Sequence, residues 1–293
     1  MSALRVLVTG RNGQVGAELA QVLAPWAEVH ALSREEMDLT FDAAIHAAVA
    51  RVQPRLIVNA AAYTAVDKAE SEPKLAARIN AQAVATLAAA AQKVGAAVIH
   101  YSTDYVFDGT LDRPYCERDA THPLNVYGRT KLAGEQALAA AGVPYLVLRT
   151  SWVYGARGKN FLRTILALAA QKPELRIVAD QTGAPTCAGD IAAATSTLAQ
   201  QWLAAPNTMR ERSGVYHLTA SGQTSWFGFA EAALAGRSGL ARLTPIPTAE
   251  YPTPAARPLN SRLNCDKLER VFGVRLPEWR QSLTTVLAEI ARQ

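Results

Sequence analysis

The sequence predicts a doubly wound α/β fold of the Rossmann type, with a doubly wound parallel sheet and a smaller, discontinuous C-terminal substrate-binding lobe. Up to about residue 150, short apolar runs alternate with alanine-rich stretches of helical spacing. The apolar runs are continuous rather than alternating, as expected for a parallel sheet covered by helices on both faces. Beyond about Ser151, prolines and glycines interrupt this pattern, so a less regular region begins there.

The predicted strands and helices alternate in chain order. The strand candidates are Leu4–Thr9, Glu28–Leu32, Leu56–Asn59, Ala97–Ser102 and Tyr145–Arg149. A further strand, Gly214–Leu218, is expected to return to the main sheet. We therefore assign residues 1–155 and about 186–220 to a dinucleotide-binding domain, and about 156–185 and 221–293 to a nucleotide-sugar substrate lobe.

Composition and charge exclude several classes of protein. Of the 293 residues, 49% are hydrophobic and 19% charged, which is typical of a globular protein and excludes a disordered one. The net charge of +5 comes from scattered Lys and Arg residues rather than a basic run, so we expect no nucleic-acid partner. Cys116, Cys187 and Cys265 lie far apart and predict neither disulfides nor a zinc site.

The apolar segments predict neither export nor membrane contact. The first ten residues read as a strand and lack the pattern of a signal peptide. The most apolar stretch, Ala83–Ala91, is well short of the ~20 residues that cross a bilayer. We therefore expect a cytoplasmic protein.

A glycine-rich turn follows the first predicted strand. Gly10, Gly13 and Gly16 are spaced three residues apart and lead into a helix that begins near Gln14. Glycine allows a tight turn, and a pyrophosphate then reaches bare backbone N–H groups at the helix N-terminus. The pattern predicts dinucleotide binding, with a plain glycine-rich turn as the alternative.

The end of the second predicted strand indicates which dinucleotide binds. An acidic residue at this point would bind the ribose 2′-hydroxyl of NAD, but this chain has Ser33 and Arg34. A hydroxyl beside a guanidinium suits a 2′-phosphate, and Arg11 in the glycine turn is a candidate second cation. We expect NADPH, with NADH as the alternative; otherwise both arginines are solvated surface residues.

Thr103, Tyr127 and Lys131 are the predicted catalytic residues. Tyr127 and Lys131 are four residues apart at the start of a predicted helix, so they share one face. An ammonium beside a phenol is expected to lower the pKa of Tyr127, which would then donate a proton near neutral pH. Lys131 also suits a ribose hydroxyl. Thr103 follows a strand at the carboxyl edge of the sheet, where ligands bind in such folds.

Together these motifs resemble the extended short-chain dehydrogenase/reductase superfamily. Within it, longer stretches resemble the dTDP-4-dehydrorhamnose reductase family; these are residues 59–70, 102–109, 149–155, 180–186 and 257–263. The resemblance implies reduction of the C4 ketone of dTDP-4-dehydro-L-rhamnose by NADPH or NADH. This is the last step of dTDP-L-rhamnose synthesis, which supplies cell-surface polysaccharide.

The resemblance also implies roles for single residues. It places substrate contacts at Thr103, Asp104 and Trp152. Some members have Asp where Ser33 stands, so their use of NADH does not transfer to this chain. The implied cofactor contacts are Gly13, Gln14, Val15, Ser33, Asp38, Leu39, Ala62, Tyr63, Thr64 and Tyr101.

Four further residues have two interpretations each. Trp152 either stacks on the sugar or thymine or packs in the interior. Arg257 and Arg262, in a proline-bounded segment, either clamp a diphosphate or form surface ion pairs. His100, in an apolar strand, is interpreted as a core imidazole rather than a catalytic base.

Metal binding, assembly and activity also leave alternatives. The resemblance implies a Mg²⁺-bridged homodimer, for which Asp190 and Glu289 are the candidate ligands; a pair of surface carboxylates is the other interpretation. The competing functions are another nucleotide-sugar reductase or epimerase, and a non-catalytic regulatory subunit that binds NADP. The intact catalytic residues argue against the regulatory subunit.

Overall fold

A six-stranded parallel sheet forms the centre of the protein in the computed structural model, which describes residues 4–237 and 239–293. The first strand lies inside the sheet, the second pairs on one side of it, and the remaining strands extend the sheet on the other side. Helices cover both faces. The predicted doubly wound α/β fold is confirmed, and its winding reverses at the first strand.

The strands are named β1 to β12 in chain order. The main sheet has the order β10, β5, β4, β3, β1, β2, and the other strands form two-stranded pairs. The bounds are Arg5–Thr9, Glu28–Leu32, Leu56–Asn59, Ala97–Thr103, Tyr145–Thr150, Val153–Tyr154, Glu174–Val178, Thr182–Gly183, Thr186–Cys187, Gly214–His217, Thr224–Ser225 and Arg242–Ile246.

The α-helices are named α1 to α11. A π-helical turn, Arg78–Gln82, lies between α4 and α5, and a 3-10 turn, Asp104–Val106, follows β4. Among the described residues, no helix has the length and apolar character needed to cross a membrane. The bounds are Gln14–Leu23, Asp42–Val52, Val66–Ser71, Pro73–Ala77, Ala83–Val94, Val126–Ala140, Phe161–Ala169, Ala188–Leu203, Trp226–Leu234, Asp266–Phe272 and Trp279–Ala291.

All six predicted strands of the main sheet are present, with ends that differ by at most one residue. β4 continues through Thr103 because the ladder with β5 pairs Thr103 with Thr150. Thr103 is therefore the last residue of the strand rather than the first residue after it. This difference fixes its backbone within the sheet edge.

Two hydrophobic cores cover the faces of the main sheet. Alternate residues of one strand point to opposite faces, so Val6 and Val8 of β1 enter one core and Leu7 enters the other. Helices α1, α8 and α10 cover the first face, and α2 and α5 cover the second. The central strands are buried throughout, which explains their continuous apolar runs.

Two further cores lie among the elements that follow β5. They are formed by α7, α9 and α11 with the β7–β12 pair. We propose the division into two lobes on these cores, because α8 and β10 belong with the main sheet. Leu268 and Phe272 of α10, within residues 221–293, also pack in the main-sheet core. The lobe boundaries stay a prediction.

Helix α6 lies unusually close to its neighbours. A Cβ at Gly134 would lie 2.1 Å from the carbonyl oxygen of Asn80, and a Cβ at Gly128 would lie 2.1 Å from that of Tyr105. Glu135 on the same helix binds Arg149 of β5 through two hydrogen bonds of 2.9 and 2.6 Å, and each side chain is only 4% exposed. These contacts hold α6 against β5 and the π-helical turn.

We expect Glu135→Gln to lower the free energy of unfolding by about 3–5 kcal/mol, because it leaves the buried Arg149 guanidinium without a counter-charge. Urea denaturation measures the change. Glu269→Gln is the matched control, since Glu269 pairs with Arg275 in an exposed position and such pairs contribute about 1 kcal/mol or less. Equal losses in the two variants would contradict this account of α6.

Candidate active site

A cleft of about 820 Å³ opens where β1, β3, β4 and β5 end. In an open α/β sheet this carboxyl edge, beside the point where the winding reverses, is where ligands bind. The predicted catalytic residues and most of the predicted cofactor residues line this one cleft. Residues 60–66 and 101–105 supply much of its wall, and α6 contributes Tyr127 and Lys131.

The glycine turn has the close backbone contacts that its sequence predicted. Gly10 has a φ of +74°, and a Cβ there would lie 2.9 Å from the backbone nitrogen of Ala61. A Cβ at Gly16 would lie 2.1 Å from the carbonyl oxygen of Gly10. Gly16 therefore serves helix–strand packing, whereas Gly10, Gly13, Gln14 and Val15 line the cleft. This arrangement places the N-terminus of α1 at the cleft, as a pyrophosphate site requires.

At the end of β2 the cleft carries both signs of charge. Ser33, Arg34, Asp38 and Leu39 line it, but Arg11 does not. Arg34 pairs with Asp38 at 3.2 Å, and its side chain is 73% exposed. The Ser33 hydroxyl donates to Glu35 at 2.6 Å, a bond that lowers the pKa of that carboxyl.

Arg11 and a neighbouring carboxylate lie beside this end of the cleft. Arg11 pairs with Glu36 at 3.3 Å, and Glu36 also accepts a hydrogen bond from the backbone nitrogen of Ser33. The structure thus brings both predicted cations to the region of β2, together with carboxylates that the sequence analysis did not consider. A 2′-phosphate role for Arg11 and Arg34 stays a prediction.

The loop after β3 is held by the π-helical turn. Asn80 accepts a hydrogen bond from the backbone nitrogen of Tyr63 at 2.8 Å and donates one to its carbonyl oxygen at 3.1 Å. It also donates to Thr130 of α6 at 3.1 Å. One buried amide therefore joins the loop that carries Ala62, Tyr63 and Thr64 to the helix that carries Tyr127 and Lys131.

The structure brings Thr103, Tyr127 and Lys131 together in the cleft. The Thr103 hydroxyl donates to Asp104 at 3.1 Å and accepts from the backbone nitrogen of Tyr105 at 3.1 Å. Burial raises the pKa of Tyr127 to about 12 and lowers that of Lys131 to about 8. The expectation of a lowered pKa at Tyr127 is wrong, because the cost of ionising a buried phenol outweighs the other influences on it.

The contacts of Lys131 explain why it does not acidify the phenol. Its Nζ donates to the carbonyl oxygen of Tyr101 at 2.6 Å and lies 3.2 Å from Nε2 of His100. The lysine is thus directed at β4. His100 is a buried core imidazole, as predicted, and burial together with Lys131 lowers its pKa well below its usual value. It nevertheless touches a predicted catalytic residue.

Asp104 is a buried carboxyl at the centre of the cleft. One of its oxygens accepts from Thr103 at 3.1 Å, whereas the other is buried without a hydrogen-bond partner among the described residues. Burial raises its pKa to about 7. Ser102 and Thr150 also line the cleft, and their hydroxyls have no hydrogen-bond partner within the part of the chain that the structure describes. These atoms give the cleft a polar floor.

Trp152 has left-handed backbone, with a φ of +48°. Its ring stacks on Trp226 with centroids 3.7 Å apart, and a Cβ at Gly183 would lie 2.7 Å from its ring atom Cε2. The ring is thus packed against Trp226 and Gly183. Both tryptophans line the cleft, so the stacked pair forms part of its wall.

The structure does not bring Arg257 and Arg262 to the cleft wall. Arg257 pairs with Asp67 at 2.8 Å. Arg262 donates to Asn260 at 2.8 Å and to Gln223 at 3.2 Å. Arg257 thus forms the ion pair of the alternative interpretation, whereas Arg262 binds uncharged oxygen acceptors. A diphosphate role for either residue stays a prediction.

Asp190 and Glu289 do not belong to a metal-binding cluster. Among the described residues there is no group of three or more His, Cys, Asp or Glu side chains that could hold a metal ion. Asp190 instead accepts a hydrogen bond from Ser282. A Mg²⁺ site within one chain therefore has no support in the described part of the structure.

The cleft also contains residues that the sequence analysis did not select. Asn12 lies inside the glycine turn and Lys159 follows a glycine, so both carried a local signal. Trp226 carried none, because only the fold brings α9 to this edge. The additional lining residues are Thr9, Asn12, Met37, Ala60, Ala61, Ala65, Val66, Ile79, Ser102, Tyr105, Thr150, Ser151, Val153, Gly158, Lys159 and Trp226.

We expect the stability of the protein to depend on the protonation of Asp104. Its pKa is higher in the folded protein than in an unfolded chain, so the contribution of this one group to the free energy of unfolding is greatest below about pH 4 and is lost as pH rises through 7. Asp104→Asn should flatten this decline, which amounts to roughly 4 kcal/mol at most.

Urea denaturation between pH 4 and 8 measures the dependence. Asp112→Asn, at an exposed position, controls for the substitution itself. A decline of unchanged steepness in Asp104→Asn would rule out Asp104 as its source.

Comparison with known proteins assigns the chain to a family. Residues 4–292 match the family model described as RmlD substrate binding domain. A dTDP-4-dehydrorhamnose reductase of Burkholderia thailandensis is 49% identical over 99% of this chain and 100% of its own length. A crystal structure of dTDP-4-dehydrorhamnose reductase from Bacillus anthracis in complex with NADP has a TM-score of 0.90 and 34% identity, covering 98% of this chain and 99% of that one.

A more distant structure shares the fold alone. The UDP-glucose 4-epimerase of Thermus thermophilus, in complex with NAD, has a TM-score of 0.81 at 20% identity over 98% of this chain and 99% of that one. By its sequence and its fold over nearly the whole length, this chain belongs to the dTDP-4-dehydrorhamnose reductase family.

Proposed function

We propose that the protein reduces the C4 ketone of dTDP-4-dehydro-L-rhamnose with NADPH, giving dTDP-L-rhamnose. One observation carries the proposal: in a chain of this family, the glycine turn and Thr103, Tyr127 and Lys131 line the same cleft. A reductase needs a dinucleotide site and a proton donor within reach of one substrate. The proposed substrate is the dTDP-sugar named in the relatives.

The shape of the cleft suits a nicotinamide dinucleotide. Backbone takes the space that side chains would fill at Gly10 and Gly16, and the N-terminus of α1 faces the cleft. We assign the pyrophosphate to Gly13, Gln14 and Val15, and the adenosine end to the region of Ser33 and Leu39. The bound cofactor would supply the hydride. The NADP complex of the Bacillus anthracis relative supports NADPH.

The residues of the chain supply the proton. Tyr127 keeps its phenolic proton at neutral pH because burial raises its pKa to about 12. An alkoxide forming at C4 is a stronger base than this phenolate, so the proton passes from Tyr127 Oη to the C4 oxygen. Thr103 lines the same cleft, and its hydroxyl is assigned to hold the C4 oxygen by a hydrogen bond. Protonated Lys131, which lines the same cleft, is assigned to the ribose hydroxyl beside the nicotinamide.

The polar floor and the tryptophan pair shape the sugar site. Asp104, Ser102 and Thr150 present buried oxygen atoms suited to sugar hydroxyls. Trp152 and Trp226, in contrast, give the cleft an apolar wall. This mixture fits a deoxysugar, which carries both hydroxyls and a methyl group.

We expect Tyr127→Phe to lower kcat by about 10²–10⁴-fold, because it removes the proton donor, with little change in cofactor affinity. NADPH oxidation in the presence of dTDP-4-dehydro-L-rhamnose, followed by nicotinamide absorbance, measures the rate. Tyr216→Phe removes a hydroxyl that bonds to the Arg212 carbonyl outside the cleft and serves as the control.

Near-normal turnover by Tyr127→Phe would remove this tyrosine from the mechanism. The same assay on the unaltered protein separates the competing functions. An epimerase would leave the total amount of reduced nicotinamide unchanged, and a regulatory subunit would bind it without turnover.

We expect Arg34→Ala to raise the KM for NADPH by about tenfold while leaving the KM for NADH nearly unchanged, since only NADPH carries the 2′-phosphate. Parallel assays with the two nicotinamides give the ratio. Arg51→Ala, an exposed change at the end of α2, is the control. An equal effect on both cofactors, or a preference for NADH before mutation, would contradict the assignment of Arg34.

A further inference from the structure

A chain of buried hydrogen bonds runs from β1 to Lys131. Thr9 Oγ1 donates to Asn59 Oδ1 at 2.7 Å, Asn59 Nδ2 lies 2.9 Å from His100 Nδ1, and His100 Nε2 lies 3.2 Å from Lys131 Nζ. Each of these four side chains is only 1% exposed. This series of hydrogen bonds therefore connects β1, β3, β4 and α6 through side chains that are buried from solvent.

A backbone hydrogen bond determines which group donates and which accepts along this series of side chains. Ala61 N donates to Thr9 Oγ1 at 2.9 Å, so the hydroxyl hydrogen of Thr9 points elsewhere, and Asn59 Oδ1 is its acceptor. If the Asn59 amide were reversed, this hydrogen would lose its acceptor in a buried place, which is costly. Asn59 therefore presents its NH₂ group to His100.

The direction of the chain selects one tautomer of His100. Because Nδ1 accepts from Asn59, a neutral imidazole must carry its hydrogen on Nε2. His100 stays neutral, since burial and the neighbouring lysine lower its pKa well below the usual value. The Nε2 hydrogen then points at Lys131 Nζ, which itself donates to the carbonyl oxygen of Tyr101.

We propose that His100 is a positioning residue for Lys131, with Thr9 and Asn59 directing the Nε2 hydrogen of His100 at the lysine nitrogen. The Nε2 hydrogen of His100 can donate to the lone pair of a neutral Lys131 amine, whereas it faces another donor when Lys131 is an ammonium. His100 thereby fixes the location of Nζ and favours release of its proton. The inference rests on the proposed function, in which Lys131 acts in its protonated form.

The charged groups around Lys131, together with its burial, determine the pH at which it loses its proton. Glu135, one turn along α6, favours the ammonium, but it is bound to Arg149 of β5. Tyr127 lies one turn earlier, and Asp104 follows β4. Burial nevertheless lowers the pKa of Lys131 to about 8. The reductase should therefore lose activity above about pH 8, as the lysine loses its proton.

Nitrogen NMR tests the tautomer without any need for activity. In protein labelled with ¹⁵N-histidine, we expect His100 to carry its hydrogen on Nε2. His217 gives an internal reference of the opposite kind, because its Nδ1 lies 3.2 Å from the carbonyl oxygen of Asn264 and must donate to it. A hydrogen on Nδ1 of His100 at pH 7, or on both nitrogens, would overturn the proposal.

Two variants test the effect on Lys131. His100→Gln presents an amide oxygen to the lysine, and Asn59→Asp turns the donor to His100 into an acceptor, which moves the imidazole hydrogen to Nδ1. Both changes give the ammonium an acceptor. We expect the alkaline limb of kcat to move up by about one pH unit in each, and the Asn59→Asp spectrum to show the reversed tautomer.

His217→Asn is the matched control, since it replaces the other buried histidine and keeps the donor to Asn264. Its alkaline limb should stay in place. An unchanged limb in a folded His100→Gln or Asn59→Asp protein would refute the role of His100. Absence of reductase activity would refute the proposed function alone, because the NMR result would still decide the tautomer.

Discussion

The close approach of α6 to the sheet edge is the constraint on which the cleft depends. Two glycines, Gly128 and Gly134, lie against carbonyl oxygens with no space for a Cβ. The buried pair of Glu135 and Arg149 fixes the same helix to β5. A larger separation would withdraw Tyr127 and Lys131 from the carboxyl edge, where the glycine turn also ends. The positions of the Tyr127 and Lys131 side chains in the cleft thus depend on the close packing of the α6 backbone.

This proximity has an electrostatic consequence. Groups pressed between α6 and the sheet lose water, so ionisation of Tyr127 and Asp104 becomes harder and protonation of Lys131 becomes harder too. The three shifts share one cause. They bring the pKa values of Lys131 and Asp104 closer to 7, whereas they move the pKa of Tyr127 further above it. The tyrosine is therefore suited to hold a proton until a strong base forms beside it.

The sequence predicted the main sheet well because each central strand is a buried run next to a helix of regular spacing. It also located Gly10, Tyr127 and Lys131, whose signals are local in the chain. It missed what depends on distant packing. Trp226 reaches the cleft only through the fold, and the direction of Lys131 towards His100 depends on the register of β4 against α6. No local pattern carries that information.

The tryptophan pair shows how the irregular part of the chain takes part in the site. Trp152 follows β5 of the main sheet, whereas Trp226 begins α9, and the two rings stack at 3.7 Å. Left-handed backbone at Trp152 costs about 1–3 kcal/mol and persists only where surrounding contacts hold it. The Trp152 ring stacks on Trp226 and lies against Gly183, where a side chain would clash with it. The position of Trp152 in the cleft wall therefore depends on its contacts with β8 and α9, so a change in the packing of either element would move the wall of the proposed sugar site.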